Sequence, residues 1–289
     1  MTTVLPQPNR GRTGWVDVID RLDPVLDAAT IVKISAGCEF PWDYQRSLEF
    51  ALFRTYCVPT ISNLLRRTGE FEKRPQKRYD DTALLMGELV EHGYDSERGR
   101  ASLRAVNRMH ARYDIDNDDM IYVLSTFAFD PIEWIDRYGW RRLHPHERTA
   151  NVEFYRQVGT RMGIRDVPAS DSEFHSFKLR YERARFTYSD DNRVIGEYTR
   201  DLLASWYPRP VRPVVRGAVY ALIDDDMTRA FGFPAAVRGL LPTVDCALRA
   251  RSRALRVFPK RTASKSTEDP RNRTYPGYPV GYHPSDLGV

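Results

Sequence analysis

Leu103-Arg104-Ala105-Val106-Asn107-Arg108-Met109-His110-Ala111-Arg112-Tyr113 is the stretch on which the fold turns. Leu103, Val106, His110 and Tyr113 recur at spacings of three, four and three, one face of a helix, while Arg108 and Arg112 fall elsewhere. The spacing predicts a helix over 97–113 with His110 on its inward line. An inward histidine is either a hydrogen-bonded core residue or a ligand, and this stretch alone favours the first.

The flanks carry the same period. Asp80 and Asp81 suit the positive end of a helix, Leu85, Met86, Leu89 and Val90 form its stripe, and Gly93 closes it, so a helix is predicted from 80 onward. Before it, residues 68–77 read as a charged loop broken by Gly69 and Pro75. Earlier, Leu48, Leu52, Tyr56, Ile61, Leu64 and Leu65 place helix over 44–67 with a break or kink near Pro59. On the other side, Asn117, Asp118 and Asp119 open a helix running through Phe129, with Met120, Val123, Leu124 and Phe127 on its stripe. Pro131, Pro145, the break at 163–168 and the capping-box spacing of Ser170 and Glu173 punctuate further helices to 206. Pro208, Pro210 and Pro213 read as a hinge, followed by helices over 214–223 and 234–257.

Strand alternation and the phosphate-loop, dinucleotide and nucleophile-elbow motifs are all missing from the sequence. The expectation is an all-α protein: a flexible start at 1–12, a single helical domain over 13–258 and a Pro/Gly/Tyr-rich tail over 259–289. The helices after the hinge are too few to hold a core of their own.

Apolar residues make up 42% and charged residues 29%, which suffices for one sizeable core. No run reaches the length of a membrane span, and the start lacks the charged and apolar regions of a signal peptide, so a cytoplasmic protein is expected. Cys38, Cys57 and Cys246 lie far apart, without zinc or disulfide spacing. The net charge of +5 is concentrated in 249–273, where nine basic residues face Glu268 and Asp269. Such a segment can touch anionic headgroups at a membrane surface, although Arg249, Arg253 and Arg256 also fit a solvated helix face. Aromatic residues are not interleaved with these arginines, which argues against nucleic acid.

Six histidines are present. His92 ends a helix, His283 lies in the tail, and His175 shares a helical line with Leu179, which turns it inward. The pair in His144-Pro145-His146-Glu147 reads first as a solvent-facing turn and second as a metal site. Glu70 and Glu72 read as solvated loop charges, with a catalytic base as the alternative.

Taken in order, Lys77-Arg78-Tyr79-Asp80-Asp81-Thr82, then Asn107 to Ile115 around His110, then Asn117-Asp118-Asp119 with Tyr122-Val123-Leu124, resemble the MpaB-like and rubber-oxygenase (latex-clearing protein) catalytic domain. The likeness continues through Tyr138-Gly139-Trp140-Arg141 and Met162-Gly163-Ile164 to Tyr181-Glu182, covering residues 35–257. Order and spacing carry it, since no single motif is diagnostic.

The resemblance implies a globin-like helical core holding haem b, with His110 as the protein ligand to the iron. It also implies Arg78 and Thr82 on the distal side, where oxygen binds, and makes Asn107 a candidate cofactor contact. Arg78 and Thr82 are four apart and share a helix face, and their donors suit charge developing on oxygen. Asp81 is expected to hold Arg78 or to relay a proton. Rubber-cleaving members carry a lysine immediately before the threonine; Asp81 stands there in this sequence, so the pattern is closer to the MpaB-like branch. The implied activity is that of a haem-dependent oxygenase using dioxygen to oxidise or cleave a carbon–carbon double bond of a hydrophobic, isoprenoid- or lipid-like substrate. A haem-binding sensor or electron-transfer protein, and a haem-free helical binding protein, remain open alternatives, as does the oligomeric state.

Overall fold

Several prolines that break the sequence pattern turn out to open helices. In the computed structural model, which describes Leu5, Pro8, residues 14–259 and 261–265, Tyr278 and residues 281–288, the chain is all-α. Pro41, Pro59, Pro75 and Pro145 each occupy the first turn of a helix, where a missing N–H costs nothing. In chain order the helices are α1 (Gly14–Ile19), α2 (Ala28–Ile34), α3 (Pro41–Thr55), α4 (Pro59–Thr68), α5 (Glu70–Lys73), α6 (Pro75–His92) and α7 (Glu97–His110). They continue with α8 (Asn117–Tyr138), α9 (Pro145–Arg161), α10 (Asp171–Arg185), α11 (Asp190–Ser205), α12 (Arg212–Leu222), α13 (Asp225–Phe231) and α14 (Leu240–Leu255). A π-helical turn at Ser35–Glu39 joins α2 to α3.

The differences from the sequence expectation have local causes. The loop expected at 68–77 is mostly helical: Gly69 ends α4 at φ 69°, α5 follows, and Pro75 starts α6 five residues before the expected point. α7 stops at His110 rather than at 113, because the chain turns there to reach the next N-cap, Asp116. Tyr113 consequently leaves the inward line and is 41% exposed. Pro131 does not end α8. An interior proline costs about 3 kcal/mol, and here Phe127, Phe129, Ile132 and Ile135 are buried around it, so packing outweighs the lost hydrogen bond. α14 begins at Leu240, after Gly239 at φ 84°, instead of at 234. α13, capped by Asp224 accepting from the Met227 N–H, went unread in the sequence, as did α1 and α2.

The central body packs α2, α3, α8 and α9 around Ile31, Tyr44, Ala128, Phe154 and Tyr155. A second cluster joins α3 to α11, α12 and α13; Phe53 stacks on Phe231 at 4.8 Å between ring centroids. The helices beyond the proline-rich hinge are thus seated on the main body. Charges lock these layers as well. Arg141 bridges the fully buried Glu147 and Glu39 at 2.6 and 2.7 Å.

Of the expected start, 1–12, only Leu5 and Pro8 lie among the described residues. The described parts of the tail are docked. Trp15 donates to the Arg261 carbonyl, Ser264 to Glu91, and Tyr282 to Glu88, while Leu287 is buried against Leu84, Leu85 and Ala105. Much of the basic segment is committed too. Arg249 pairs with Asp245, Arg256 donates to the Trp140 carbonyl, and Arg251 turns inward onto Asp43 with its guanidinium 3.8 Å from the Trp42 ring. Lys260, Arg271 and Arg273 lie outside the described residues.

Candidate functional site

α6 and α7 form a tight helical hairpin. Gly93 caps α6 at φ 77°, and the Ser96 hydroxyl accepts the Gly99 N–H at 2.9 Å to start α7. Gly99 allows the two ends to meet, since a Cβ there would stand 2.0 Å from the Gly93 carbonyl oxygen. Such a hairpin returns the chain alongside itself. Arg78 and His110 are nearly equidistant from the turn, so they come to the same end of the pair, close enough for the Arg78 charge to act on the imidazole.

The His110 ring reaches a groove at one edge, but its Nδ1 is buried with no hydrogen-bond partner among the described residues. A buried polar atom left unpaired costs about 1–3 kcal/mol. Burial first, and the positive charge of Arg78 second, lower the pKa to about 4, so the ring is neutral at neutral pH. An ordinary core histidine would have satisfied that nitrogen; this one keeps it uncommitted.

Arg78 donates to the Thr82 hydroxyl across one helical turn and lies 5.7 Å over the Phe71 ring. It has no carboxylate partner among the described residues. The expected Arg78–Asp81 pair is absent because Asp81, 6% exposed, is taken by others: Lys77 approaches at 2.9 Å and the Tyr278 hydroxyl donates to its second oxygen. The Lys77 contact has helical i, i+4 spacing, a local signal that the expectation of an Arg78–Asp81 pair passed over. Tyr278 arrives from the tail without any local signal. Asn107 donates to the Arg161 carbonyl at 3.1 Å and so ties the end of α7 to the end of α9.

His110 and Arg78 line two separate spaces. A groove of about 270 Å³ is lined by His110, Tyr113, Met120, Met162 and Ile164. A small cleft of about 40 Å³ is lined by Leu52, Tyr56, Phe71, Arg78, Thr82 and Leu203. Burial pushes the Tyr56 phenol up to about 12, so it remains a proton donor. The donor types suit a haem iron: a neutral imidazole with an uncommitted nitrogen, within reach of the charge of an arginine that donates to a threonine hydroxyl. As it stands the cleft has room for a few waters rather than a macrocycle.

The other candidates are placed elsewhere. His175 is 40% exposed with Glu133 at 3.3 Å, so it does not turn inward as expected. His92 ends α6 beside Glu88, and His283 caps a short turn in the tail. Glu70 is held by Arg74, whose hydrogen bonds keep its carboxyl below the usual range, and Glu72 is exposed. Burial raises the Cys38 thiol to about 12 and Cys57 well above its ordinary value, which disfavours thiolate ligands.

Residues 51–257 match the model of the family described as ER-bound oxygenase mpaB/B'/Rubber oxygenase, catalytic domain. An ER-bound oxygenase mpaB of Penicillium roqueforti is 32% identical over 222 residues, 71% of this chain and 74% of that protein. The ER-bound oxygenase mpaB' of Penicillium brevicompactum is 31% identical over 257 residues, 82% of this chain and 61% of that protein. A second protein of that species, ER-bound oxygenase mpaB, is 40% identical over 144 residues, 48% and 37% of the two chains. This chain therefore spans less than two thirds of both Penicillium brevicompactum relatives. Arg78, Asp81, Thr82, Asn107 and His110 all fall inside the family match; Tyr278 falls outside it.

Proposed function

The chain belongs to the family of mpaB-type oxygenases and rubber-oxygenase catalytic domains, and on that premise we propose that it is a haem b-dependent oxygenase acting on a carbon–carbon double bond of a hydrophobic, isoprenoid- or lipid-like substrate. The observation that carries the proposal is the neutral His110 ring, with a buried nitrogen, near an arginine, neither of them with a partner of opposite character among the described residues: no hydrogen-bond partner for the nitrogen and no carboxylate for the guanidinium. When bound, the haem supplies a redox-active iron for dioxygen chemistry. His110 would hold it, in a globin-like arrangement on the α6–α7 hairpin, with Asn107 fixing the end of α7 that carries His110.

This chain's own groups then have definable tasks. Arg78 and Thr82 present fixed donors and positive charge to the cleft, where low dielectric strengthens both. Lys77 and Tyr278 occupy Asp81 and so leave Arg78 without a carboxylate partner among the described residues. Tyr56 holds its proton, and Leu52, Phe71 and Leu203 give the same space apolar walls. Opening of the cleft would admit an apolar substrate. No described helix is long and apolar enough to cross a membrane; contact with an anionic bilayer through 249–273 would rest on Arg253 and the charges beyond α14, since Arg249, Arg251 and Arg256 are engaged.

The test is a spectrum of the haem-reconstituted, reduced chain with and without carbon monoxide, followed by oxygen uptake with an added isoprenoid. His110→Ala should lose the haem spectrum while His175→Ala keeps it. Equal spectra would sink the assignment of His110, and stable haem without substrate-dependent oxygen uptake would favour a sensor or electron carrier.

A further inference from the structure

α9 is 17 residues long, about 25 Å, and its end away from His110 carries a separate cluster. We propose that Asp20, His144 and His146 bind a divalent transition metal of the zinc class, tying the end of α1 to the start of α9. One ligand atom from each residue lies within 4.8 Å of the others. His144 Nε2 stands 3.4 Å from Asp20 Oδ1. Ligands about 2.0–2.2 Å from a tetrahedral zinc are separated by about that distance.

The second observation concerns the tautomer of His146. Its Nδ1 lies 3.1 Å from the Ile19 carbonyl oxygen, so Nδ1 carries the hydrogen and Nε2 presents a lone pair. A backbone carbonyl behind the ring is the arrangement that orients metal-bound imidazoles. The rings of His144 and His146 are partly buried, 5.0 Å apart, and not the solvent-facing turn expected from sequence. Asp23 stands near enough for its charge to act on His146, adding to the negative surroundings.

Two terms oppose binding and set its strength. The positive N-terminus of α9 repels a cation, an effect reduced by the Glu147 carboxylate that accepts the His144 N–H at 2.7 Å. His144 Nδ1 also accepts the His146 N–H at 3.3 Å; coordination through Nε2 moves the ring proton to Nδ1 and gives up that contact. Asp20 is 68% exposed, so water completes the coordination. Two imidazoles and one carboxylate select zinc-class ions over calcium or magnesium.

The haem-free chain of residues 1–289 is titrated with zinc chloride by calorimetry in a non-chelating buffer. One equivalent should bind, at least tenfold more weakly in Asp20→Asn, His146→Gln and His144→Ser, and unchanged in His110→Ala. His144→Ser retains an N-cap oxygen, so this variant removes the ligand without removing the cap. Absence of binding to the native chain, full binding in all three ligand variants, or loss of binding in His110→Ala would each overturn the proposal.

Discussion

Acidification should act on the haem-free chain through one ring. His110 has a pKa lowered to about 4 from an ordinary 6.5, chiefly by burial and further by Arg78. The folded ring stays neutral down to about pH 4, whereas the unfolded ring takes up a proton below about 6.5. Between these values the unfolded state holds more protons, so the contribution is fully present above pH 6.5 and is lost as pH falls through the folded pKa. At 1.36 kcal/mol per pH unit, lowering pH from 7 to 4.5 should cost about 2–3 kcal/mol at this site. Urea denaturation of the native chain and of His110→Gln, each at pH 7 and 4.5, isolates the term, because every carboxylate titrates in both proteins. The native chain should lose about 2–3 kcal/mol more than the variant. Equal losses would refute a buried neutral His110. In Arg78→Met the excess should shrink without vanishing, since Arg78 is the second cause and burial the first.

Glu147→Ala should be the most damaging of the remaining changes, because it removes one of the two carboxylates that Arg141 bridges and the acceptor of Ser35 and of the His144 N–H. A loss of about 3–5 kcal/mol in chemical denaturation is expected, and a loss under 1 kcal/mol would contradict the buried pairing. Gly99→Ala drives a methyl into the Gly93 carbonyl. It should cost about 1–3 kcal/mol, lowering the thermal midpoint and loosening the hairpin by hydrogen exchange. Tyr278→Phe keeps the ring but frees one oxygen of Asp81, and should destabilise by about 1–2 kcal/mol; no change in denaturation midpoint would show that the tail does not hold α6.

Short-range pattern made the helical class readable, because a 3.6-residue period is a property of consecutive side chains. It placed His110 on an inward line and found the start of α8 and the Ser170 cap. It misjudged Pro131 and the loop at 68–77, where a proline's effect depends on what surrounds it: buried neighbours carry α8 through, and a first-turn position suits α6. Tyr113 departs from the inward line for a similar reason, since the end of α7 depends on where the next helix must begin.

By itself, then, the sequence determined the all-α class, the inward histidine and, through the order and spacing of its motifs, the family. Only the tertiary structure decided that the α6–α7 hairpin brings Arg78 to His110, that Tyr278 takes Asp81 away from Arg78, and that Asp20 meets His144 and His146. Whether a buried nitrogen finds a partner, or a charge its counter-ion, depends on residues far along the chain that packing brings together, and no local period records those meetings.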